Sequence, residues 1–492
     1  MTATTDIGTY EPIDLASVSP DADALRRIPR TLALRHDVLS LSSDGNQLTI
    51  ALPDAGDRDI IDRVRLVTGM HVRAFRASRD AIREKLSLVY PDDDAVGAAR
   101  NTHRGDEAPA VRAVDEIHTA AIRHSASDIH VEPTRSGGRV RQRIDGILTE
   151  ERTLTPELYG QIVSRMKLLA GMDIADRRQP QDGRYTVERA GRSIDARVSS
   201  VPTILGEKLV VRLLDHETRV PNVDALGMPE RLLKRFRGVI RAPYGFVVAC
   251  GPTGSGKTTT LYAALGERNI DTENLCSIED PVEVRIPGVA QIQTNARAGL
   301  TFASALRSFM RQDPNVIMVG EMRDKETAGI AASAALSGQL VLTTLHSNDA
   351  PKAIDRLVEL GVSRHTLAAG LSAVIAQRLV RRLCDACRVA VEVSPALASE
   401  FGVPQGARAY RERGCGACND TGFNGRIAIF EAMFVDDGLR RLIAEGASSV
   451  QMAEAAAARG YEALIHDGRR RLLRGETTVE ELRRVLVVEN VA

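Results

Sequence analysis

The most constraining feature of the sequence is a glycine-rich segment that lies between an apolar run and a helical pattern. Residues 245–250 read Gly-Phe-Val-Val-Ala-Cys, which predicts a buried strand, and they lead directly into Gly-Pro-Thr-Gly-Ser-Gly-Lys-Thr at 251–258. Glycine, four residues, then Gly-Lys-Thr between a strand and a helix is the pattern of a phosphate-binding P-loop. The sequence therefore predicts an α/β domain that binds a nucleoside triphosphate. The alternative is a glycine-rich turn that binds nothing.

The residue types in this loop fit phosphate chemistry. Glycines let the backbone N–H groups approach a polyphosphate without a clash, and the following helix adds partial positive charge at its first turn. Lys257 is predicted to lie between the β- and γ-phosphates, and Thr258 to offer its hydroxyl to Mg²⁺. The predicted nucleotide-binding residues are Gly251, Pro252, Thr253, Gly254, Ser255, Gly256, Lys257, Thr258 and Thr259.

Length and composition limit the other possibilities. At 492 residues the chain predicts three or four domains. Basic and acidic residues both total 65, Trp is absent, and there are only 8 Tyr and 9 Phe, so neither a strongly basic surface nor a base-stacking platform is indicated and no nucleic-acid partner is predicted.

The start of the chain lacks the pattern of a signal peptide. The longest uncharged run, 327–348, contains polar residues, and we interpret it as a buried Ala-rich helix followed by a strand over Leu340–Leu345.

These features predict a cytoplasmic protein whose membrane role comes through a partner.

Four of the six cysteines form two C-x-x-C pairs. Cys384 and Cys387 are separated by 27 residues from Cys415 and Cys418, which is the spacing of a closed, structural four-thiolate Zn²⁺ site. Disulfides are the alternative, and a cytosolic compartment disfavours them. Such a metal would hold together a small subdomain. The remaining pair, Cys250 and Cys276, is predicted to be buried in the core.

The pattern along the chain predicts an α/β multidomain protein. The predicted divisions are a small α/β unit over 1–90 with disorder over 1–20, a polar linker over 91–108, a second unit over 109–225, and a P-loop domain over 226–492. The last division includes a zinc subdomain over 380–430 and helices over 431–492. In the first unit a strand is predicted at 48–52 and helices at 59–67 and 80–88; in the second a helix begins near 109 and strands follow at 138–144, 185–188 and 194–198.

Acidic residues and a histidine follow three further apolar strands of the P-loop domain. Glu279, Asp280 and Glu283 close one strand, Glu321 follows Val316–Val319, and His346 follows Leu340–Leu345. In an ATPase of this type one acid holds Mg²⁺ through water, another activates the attacking water, and a histidine could sense the γ-phosphate. Strand-end caps and a hydrogen-bonded packing histidine are the alternatives.

Taken together, these motifs resemble those of the secretion ATPases of the type II secretion and type IV pilus assembly class, most of all the type II secretion members. The resemblance covers residues 109–492 and rests on Ala-Ser-Asp-Ile-His at 126–130, the P-loop, Ile-Glu-Asp-Pro-Val-Glu at 278–283, Arg-Gln-Asp-Pro at 311–314, Gly-Glu-Met-Arg-Asp at 320–324, Thr-Leu-His-Ser-Asn-Asp at 344–349 and the paired C-x-x-C.

The resemblance implies a hexameric ring in which a PAS-like domain is joined flexibly to a RecA-like motor domain, with ATP and Mg²⁺ bound between them. It implies that Arg197 and Arg212 reach the phosphates, where a guanidinium neutralises charge that grows on the transferred group. Among the carboxylates, Glu283 is predicted to activate water and Glu321 to act beside Mg²⁺, with His346 as a third catalytic residue.

The chain departs from the family pattern in three places. Gly320 replaces the usual Walker B aspartate, as it does in this family, and Gln339 stands where relatives commonly have a second histidine. Residues 24–90 resemble only the latter half of the family's first domain, without its Leu-rich leading motif. We therefore expect no cyclic-dinucleotide signalling there and predict docking onto an inner-membrane partner.

The resulting functional prediction is an ATP-hydrolysing motor that powers pseudopilus assembly for type II secretion. It would act at the inner membrane through the cytoplasmic domain of a bitopic L-type protein and a polytopic F-type protein. Assembly of type IV or competence pili is the close alternative. A retraction motor, a conjugation-type or DNA-translocating ATPase, and a non-catalytic scaffold are less favoured.

Overall fold

A computed structural model describes residues 13–15, 18, 20–28, 32–33, 36–54, 56–89, 109–189, 192–214 and 220–486. The chain forms two compact units, residues 1–108 and 109–492. The predicted disorder over 1–20 lies almost entirely outside the described residues, and the predicted linker over 91–108 lies outside them as well.

The first unit is built on a three-stranded sheet in the order β1-β2-β3. β1 and β2 are antiparallel, whereas β2 and β3 are parallel. Asp57 begins the middle helix by accepting the N–H of Ile60 at 3.2 Å, and Gly69 ends it in the left-handed region that favours glycine. The elements are α1 (Ala22–Arg27), β1 (Leu39–Asp44), β2 (Gln47–Leu52), α2 (Arg58–Thr68), β3 (His71–Arg76) and α3 (Arg79–Val89).

The second unit begins with a six-stranded antiparallel sheet in the order β6-β5-β4-β9-β8-β7. One face of this sheet packs on two helices, because alternate residues such as Leu209 and Val211 are apolar and fully buried. The elements are α4 (Pro109–Arg123), β4 (Asp128–Thr134), β5 (Gly137–Ile144), β6 (Ile147–Leu154), α5 (Pro156–Leu169), β7 (Gln181–Arg189), β8 (Arg192–Thr203) and β9 (Gly206–Leu214).

The same unit continues into a second sheet, which we name the motor sheet after the RecA-like motor domain that the resemblance predicts. It has seven strands in the order β12-β11-β13-β14-β10-β15-β18, of which the last, β18, is Phe423–Phe434. Its neighbouring strands are parallel except at β18, which runs antiparallel to β15. The central strands are continuous apolar runs because helices cover both faces. The elements up to β15 are α6 (Glu230–Ile240), β10 (Gly245–Cys250), α7 (Lys257–Gly266), β11 (Leu275–Glu279), β12 (Val289–Gln293), α8 (Phe302–Phe309), β13 (Val316–Val319), α9 (Lys325–Leu336), β14 (Leu340–Leu345), α10 (Ala350–Glu359), α11 (Arg364–Gly370) and β15 (Leu371–Leu383).

A small module that carries all four clustered cysteines is inserted between β15 and β18, and helices follow β18. The elements are β16 (Val389–Glu392), α12 (Pro395–Phe401), β17 (Arg408–Arg411), β18 (Phe423–Phe434), α13 (Asp437–Glu445), α14 (Ser449–Ala457), α15 (Leu464–Leu473) and α16 (Val479–Val485). Among the described residues, we find no helix that combines the length and the apolar character needed to cross a bilayer.

The predicted elements are present, mostly with longer bounds. The helices predicted at 59–67 and 80–88 each extend one residue further at both ends, and the strands predicted at 185–188 and 194–198 are the inner parts of β7 and β8. The helix and strand predicted within 327–348 are α9 and β14.

The predicted domain boundaries differ from the secondary structure in two places. Val223 packs in the core of the motor sheet, so residues just before 226 belong with the motor. β18 runs to Phe434, so the segment 431–434 is strand and not the start of the helices.

Candidate functional site

The phosphate loop connects β10 to α7. Gly251, Gly254 and Gly256 all have φ in the left-handed region, at 151°, 75° and 86°, which is why the loop needs glycine at these positions. The Lys257 side chain folds back over the loop, and its Nζ donates to the carbonyl oxygens of Gly251 at 2.8 Å and Pro252 at 2.9 Å. Of the remaining predicted loop residues, Pro252, Thr253, Gly254 and Thr259 are exposed, Thr258 is half-buried and Ser255 is buried.

The carboxyl ends of four parallel strands meet at one edge of the motor sheet. β10 leads to the phosphate loop, β11 ends at Glu279, β13 leads to Glu321, and β14 leads to His346. In open parallel sheets this edge is where ligands bind. The fold therefore brings together the predicted loop, both predicted acids and the predicted histidine.

The two glutamates of the segment after β11 have different environments. Glu279 is 2% exposed and its carboxylate accepts hydrogen bonds from Ser277 Oγ at 2.7 Å, Gln291 Nε2 at 3.1 Å and the Tyr262 hydroxyl. The same tyrosine oxygen accepts the backbone N–H of Glu283 at 3.2 Å. Glu279 is thus occupied in a structural network, and that network fixes the backbone from which the Glu283 side chain projects.

The electrostatic surroundings of Glu283 suit a proton acceptor. The Glu283 side chain retains solvent-accessible surface, but desolvation by the surrounding protein raises the pKa of its carboxyl above the ordinary value, and the charge of Glu279 raises it further, while Arg212 and Lys257 act in the opposite direction. A carboxylate with a raised pKa is a stronger base than one with the ordinary pKa. Arg212 and Lys257 come from different sheets, so charges from both sheets act on this carboxylate.

Gly320 occupies the position at which a Walker B aspartate is usual. A Cβ there would lie 3.2 Å from the carbonyl oxygen of Ile278 and 3.3 Å from Cα of Glu279, so the neighbouring strand leaves little room for a side chain. The carboxylate of the next residue, Glu321, forms an ion pair with Arg323 and lies 3.8 Å from His346 Nε2. The carboxylate that immediately follows this strand end is therefore that of Glu321.

His346 lies on the loop between β14 and α10. Asp349 begins α10 by accepting the N–H of Lys352 at 2.8 Å, which fixes the end of this loop. Burial lowers the pKa of His346, and Lys257 lowers it further, although Glu321 acts in the opposite direction. A histidine that is neutral near pH 7 can donate one N–H to a phosphate without adding charge.

Three arginines lie in a row across the outer face of the six-stranded sheet. Arg212 of β9 is directly opposite Arg197 of β8, which is directly opposite Arg184 of β7. On its other side, Arg212 forms an ion pair with Asp128 of β4 at 3.0 Å. Arg197 and Arg212 are thus neighbours on one face of the sheet. Arg184 was not predicted, because only the strand register reveals it.

A cleft of about 540 Å³ adjoins the phosphate loop and the His346 loop. Its walls come from both loops and from α10, including Gly251, Pro252 and His346. Glu283, Glu321, Arg197 and Arg212 do not line it. The predicted site residues are therefore not contained in this one cleft: Glu283 and Glu321 follow strand ends of the motor sheet, and the two arginines lie on the six-stranded sheet.

The four clustered cysteines are brought together in one group. The Sγ atoms of Cys384 and Cys415 are 4.0 Å apart, and Cys418 Sγ lies 3.8 Å from both Cys387 Sγ and Cys415 Sγ. A disulfide would require about 2.05 Å, whereas four thiolates around one Zn²⁺ are about 3.8 Å apart. Backbone N–H groups of Cys415 and Gly422 also point at Cys418 Sγ, at 3.3 and 3.2 Å. The cluster is able to hold a metal ion. Cys250 and Cys276 are buried in the core, as predicted.

The start of β18, next to the cysteine module, forms hydrogen-bond and charge contacts with a turn of the six-stranded sheet. Asp145, between β5 and β6, accepts the backbone N–H of Gly425 at 2.9 Å and lies 3.8 Å from Arg426 Nε. We refer to this contact as the Asp145 clasp.

The family model described as Type II/IV secretion system protein matches residues 103–484, and a second model, described as MshEN domain, matches residues 9–96. The chain therefore belongs to the Type II/IV secretion system protein family, and its motor region is that of an ATPase. This confirms the family resemblance and the α/β multidomain fold class that the motifs predict.

Individual relatives include both secretion and pilus proteins. The chain is 48% identical to the Type II secretion system protein HxcR of Pseudomonas aeruginosa, over 77% of this chain and 78% of that protein. It is 39% identical to the Type II secretion system protein E of the same species, over 96% and 98%. It is also 40% identical to the Type IV pilus assembly ATPase PilB of Myxococcus xanthus, over 96% and 88%.

Solved structures resemble the fold at lower identity. The ATPase DotB of Legionella pneumophila matches with a TM-score of 0.56 and 20% identity, over 77% of this chain and 97% of that one. The pilus retraction motor PilT with bound ADP matches with a TM-score of 0.51 and 24% identity, over 75% and 96%. At these identities the similarity is one of fold alone.

Proposed function

We propose that this chain is a cytoplasmic motor that hydrolyses ATP to power pseudopilus assembly in type II protein secretion. The observation that supports this most directly is the meeting of Lys257, Glu283, Glu321 and His346 at one sheet edge, with Arg212 of the neighbouring sheet acting on Glu283. Relatives named as type II secretion proteins align over most of the chain, in agreement with this proposal.

Each residue has a distinct part in the proposed reaction. Backbone N–H groups of the loop and the Lys257 ammonium bind the β- and γ-phosphates, and the Thr258 hydroxyl is a ligand for Mg²⁺. Glu283 takes the proton of the attacking water, Glu321 acts on the metal side, and His346 donates to the γ-phosphate. Arg197 and Arg212 neutralise charge that develops on the transferred phosphoryl group.

The two sheets supply these charges from opposite sides of the nucleotide. ATP would draw the PAS-like domain and the motor domain together, and phosphate release would let them separate. In a homohexamer, successive closures would move the inner-membrane platform. The two domains move only if the nucleotide binds one of their arrangements, together or apart, more tightly than the other, because equal affinity for both shifts no equilibrium.

For the metal, we propose structural Zn²⁺ held by Cys384, Cys387, Cys415 and Cys418. The sulfur spacing and the N–H groups directed at Cys418 support a thiolate site, and four protein ligands leave no open position for catalysis.

We propose that residues 1–90 dock onto the cytoplasmic domain of a bitopic L-type protein and that the motor acts on a polytopic F-type protein. The protein would then be peripheral on the inner membrane. Type IV pilus assembly is the second candidate function, because a pilus assembly ATPase aligns over 96% of this chain. Deleting the gene and then measuring both the secreted enzymes and the surface fibres separates the two candidate functions.

The central test is Lys257→Ala. Because this ammonium is the loop's cation for the phosphates, we expect ATP turnover to fall to background while the circular dichroism spectrum stays unchanged. Lys234→Ala, which removes an exposed lysine of α6, is the matched control and should hydrolyse ATP normally. Turnover retained in Lys257→Ala would reject the assignment.

A further inference from the structure

The strand β15 lies directly beside β10, whose end leads into the phosphate loop. The two strands are parallel, and Cys250, the last residue of β10, is paired with Ala376 of β15. The next residue of β15, Gln377, therefore lies alongside the start of the loop. Its side chain is 1% exposed.

The side-chain amide of Gln377 forms hydrogen bonds on both sides of Lys257. Its Nε2 donates to the carbonyl oxygen of Ser255 at 2.6 Å, and its Oε1 accepts from the Thr260 hydroxyl at 2.8 Å. One amide therefore connects the last turn of the loop to the first turn of α7. Both of its bonding groups are used on this segment.

The hydrogen bond from Gln377 to the Ser255 carbonyl oxygen determines the direction of the Gly256 N–H. The Ser255–Gly256 peptide is trans, and in a trans peptide the carbonyl and the next N–H point in opposite directions. With the Ser255 oxygen held towards β15, the Gly256 N–H is turned away from β15. Backbone N–H groups of this turn are the ones that bind phosphate in a P-loop.

The packing of β15 against the loop also accounts for two of the glycines. A Cβ at Gly256 would lie 2.9 Å from Gln377 Nε2, and a Cβ at Gly251 would lie 2.7 Å from the Gln377 carbonyl oxygen. The loop therefore approaches Gln377 as closely as glycine permits.

We propose that Gln377 is a positioning residue for nucleotide binding, whose side-chain amide fixes the Ser255–Gly256 peptide so that the loop presents its N–H groups to the β- and γ-phosphates. This inference rests on the proposed function, since it concerns the same nucleotide. It predicts a specific loss of phosphate affinity, whereas a residue that serves only the core would affect stability alone.

The test compares Gln377→Glu, Gln377→Met and a matched control in the full-length chain. Gln142 of β5 is also 1% exposed, so Gln142→Glu places the same new carboxyl in an equally buried position outside the site. Affinities for MgATP, MgADP and AMP are measured by competition with a fluorescent ATP analogue, and melting temperatures are measured without nucleotide.

For Gln377→Glu we expect the affinity for MgATP and MgADP to fall about tenfold or more, because a carboxylate cannot donate to the Ser255 carbonyl oxygen and repels it, so the Ser255–Gly256 peptide loses its orientation. AMP, which has no β-phosphate, should bind within about twofold of the wild type. Gln377→Met should show a smaller loss in the same direction. Gln142→Glu should keep the wild-type ratio of ATP to AMP affinity even if its melting temperature falls.

Wild-type ATP affinity in Gln377→Glu, or an equal loss for ATP and AMP, would overturn the proposal. So would failure of both Gln377 variants to fold, which would make this glutamine a determinant of the core. These outcomes differ from failure of the proposed function, in which the wild-type chain itself would neither bind nor hydrolyse ATP.

Discussion

The two sheets of residues 109–492 contribute to the candidate site in different ways. The motor sheet presents its groups from loops at the carboxyl ends of parallel strands, as Lys257, Glu321 and His346 show. The six-stranded sheet presents Arg197 and Arg212 from the middle of paired strands, where ladder hydrogen bonds fix their spacing. One side of the site is therefore a set of groups that follow strand ends, while the other is a row of arginines held in register by paired strands.

The largest effect is expected from Glu283→Gln, which removes the carboxylate that we propose as the proton acceptor on the strand-end side. Loss of a general base costs on the order of 10³-fold in kcat. Because burial raises the pKa of Glu283, the wild-type rate should decline as the pH falls through a value above that of an ordinary glutamate, and this acid limb should disappear in the variant.

Glu279→Gln provides the comparison for this prediction. Its carboxylate is held by three hydrogen bonds within the fold, so we expect a lower melting temperature and a smaller loss of kcat. If Glu279→Gln were the more damaging change for turnover, the roles of the two glutamates would have to be exchanged.

The second effect concerns the arginines on the paired strands of the six-stranded sheet. Arg197→Ala and Arg212→Ala should each lower kcat about 10²-fold, the size expected for one group that stabilises transition-state charge, with little change in ATP affinity. Arg135→Ala, in an exposed turn of the same sheet, is the control. Equal losses in kcat and affinity would mean that these arginines bind the ground state and do not act in the transition state.

The third effect is removal of metal. We expect about one equivalent of zinc per chain by metal analysis, and Cys415→Ser should lower both the zinc content and the melting temperature. Turnover should fall only several-fold, because the cluster lies outside the reacting groups. A chain purified with no zinc and unchanged by the substitution would rule out the metal site.

The smallest effect is expected at the Asp145 clasp, which joins the six-stranded sheet to β18 of the motor sheet. Asn tolerates the left-handed backbone that Asp145 adopts and can still accept the Gly425 N–H, so Asp145→Asn removes only the attraction to Arg426. That is worth about 1 kcal/mol or less at a partly exposed pair. Faster hydrogen exchange at Gly425 with kcat within about twofold is the expected result. A large loss of kcat would show that this contact takes part in the cycle.

Local patterns in the sequence predict the parts of the site that depend on short segments. The strand, glycine loop and helix at 245–266 are contiguous, so their combination predicts the phosphate loop directly. The two C-x-x-C pairs predict the cysteine cluster in the same way. The uncharged run at 327–348 predicts most of α9 (Lys325–Leu336) and all of β14 (Leu340–Leu345).

The remaining features depend on which strands become neighbours. Gln377 has no motif of its own, and its role emerges only because β15 pairs with β10. The register of β7 and β8 places Arg184 beside Arg197, and the backbone of β11 explains why position 320 is glycine. Glu279 is buried and hydrogen-bonded within the fold, whereas Glu283 retains solvent-accessible surface, although both belong to one acidic segment.

The strand β15 has one further consequence. It runs from Gln377, beside the phosphate loop, to Leu383, and its pairing with β18 shifts register between Arg381 and Leu383; Cys384 follows immediately, about 20 Å further along. One strand therefore connects the nucleotide loop directly to the thiolate cluster. A shift of the phosphate loop during turnover would be transmitted along β15 to the cysteine module. A probe at the cysteine cluster would therefore detect movements of the nucleotide loop from a distance.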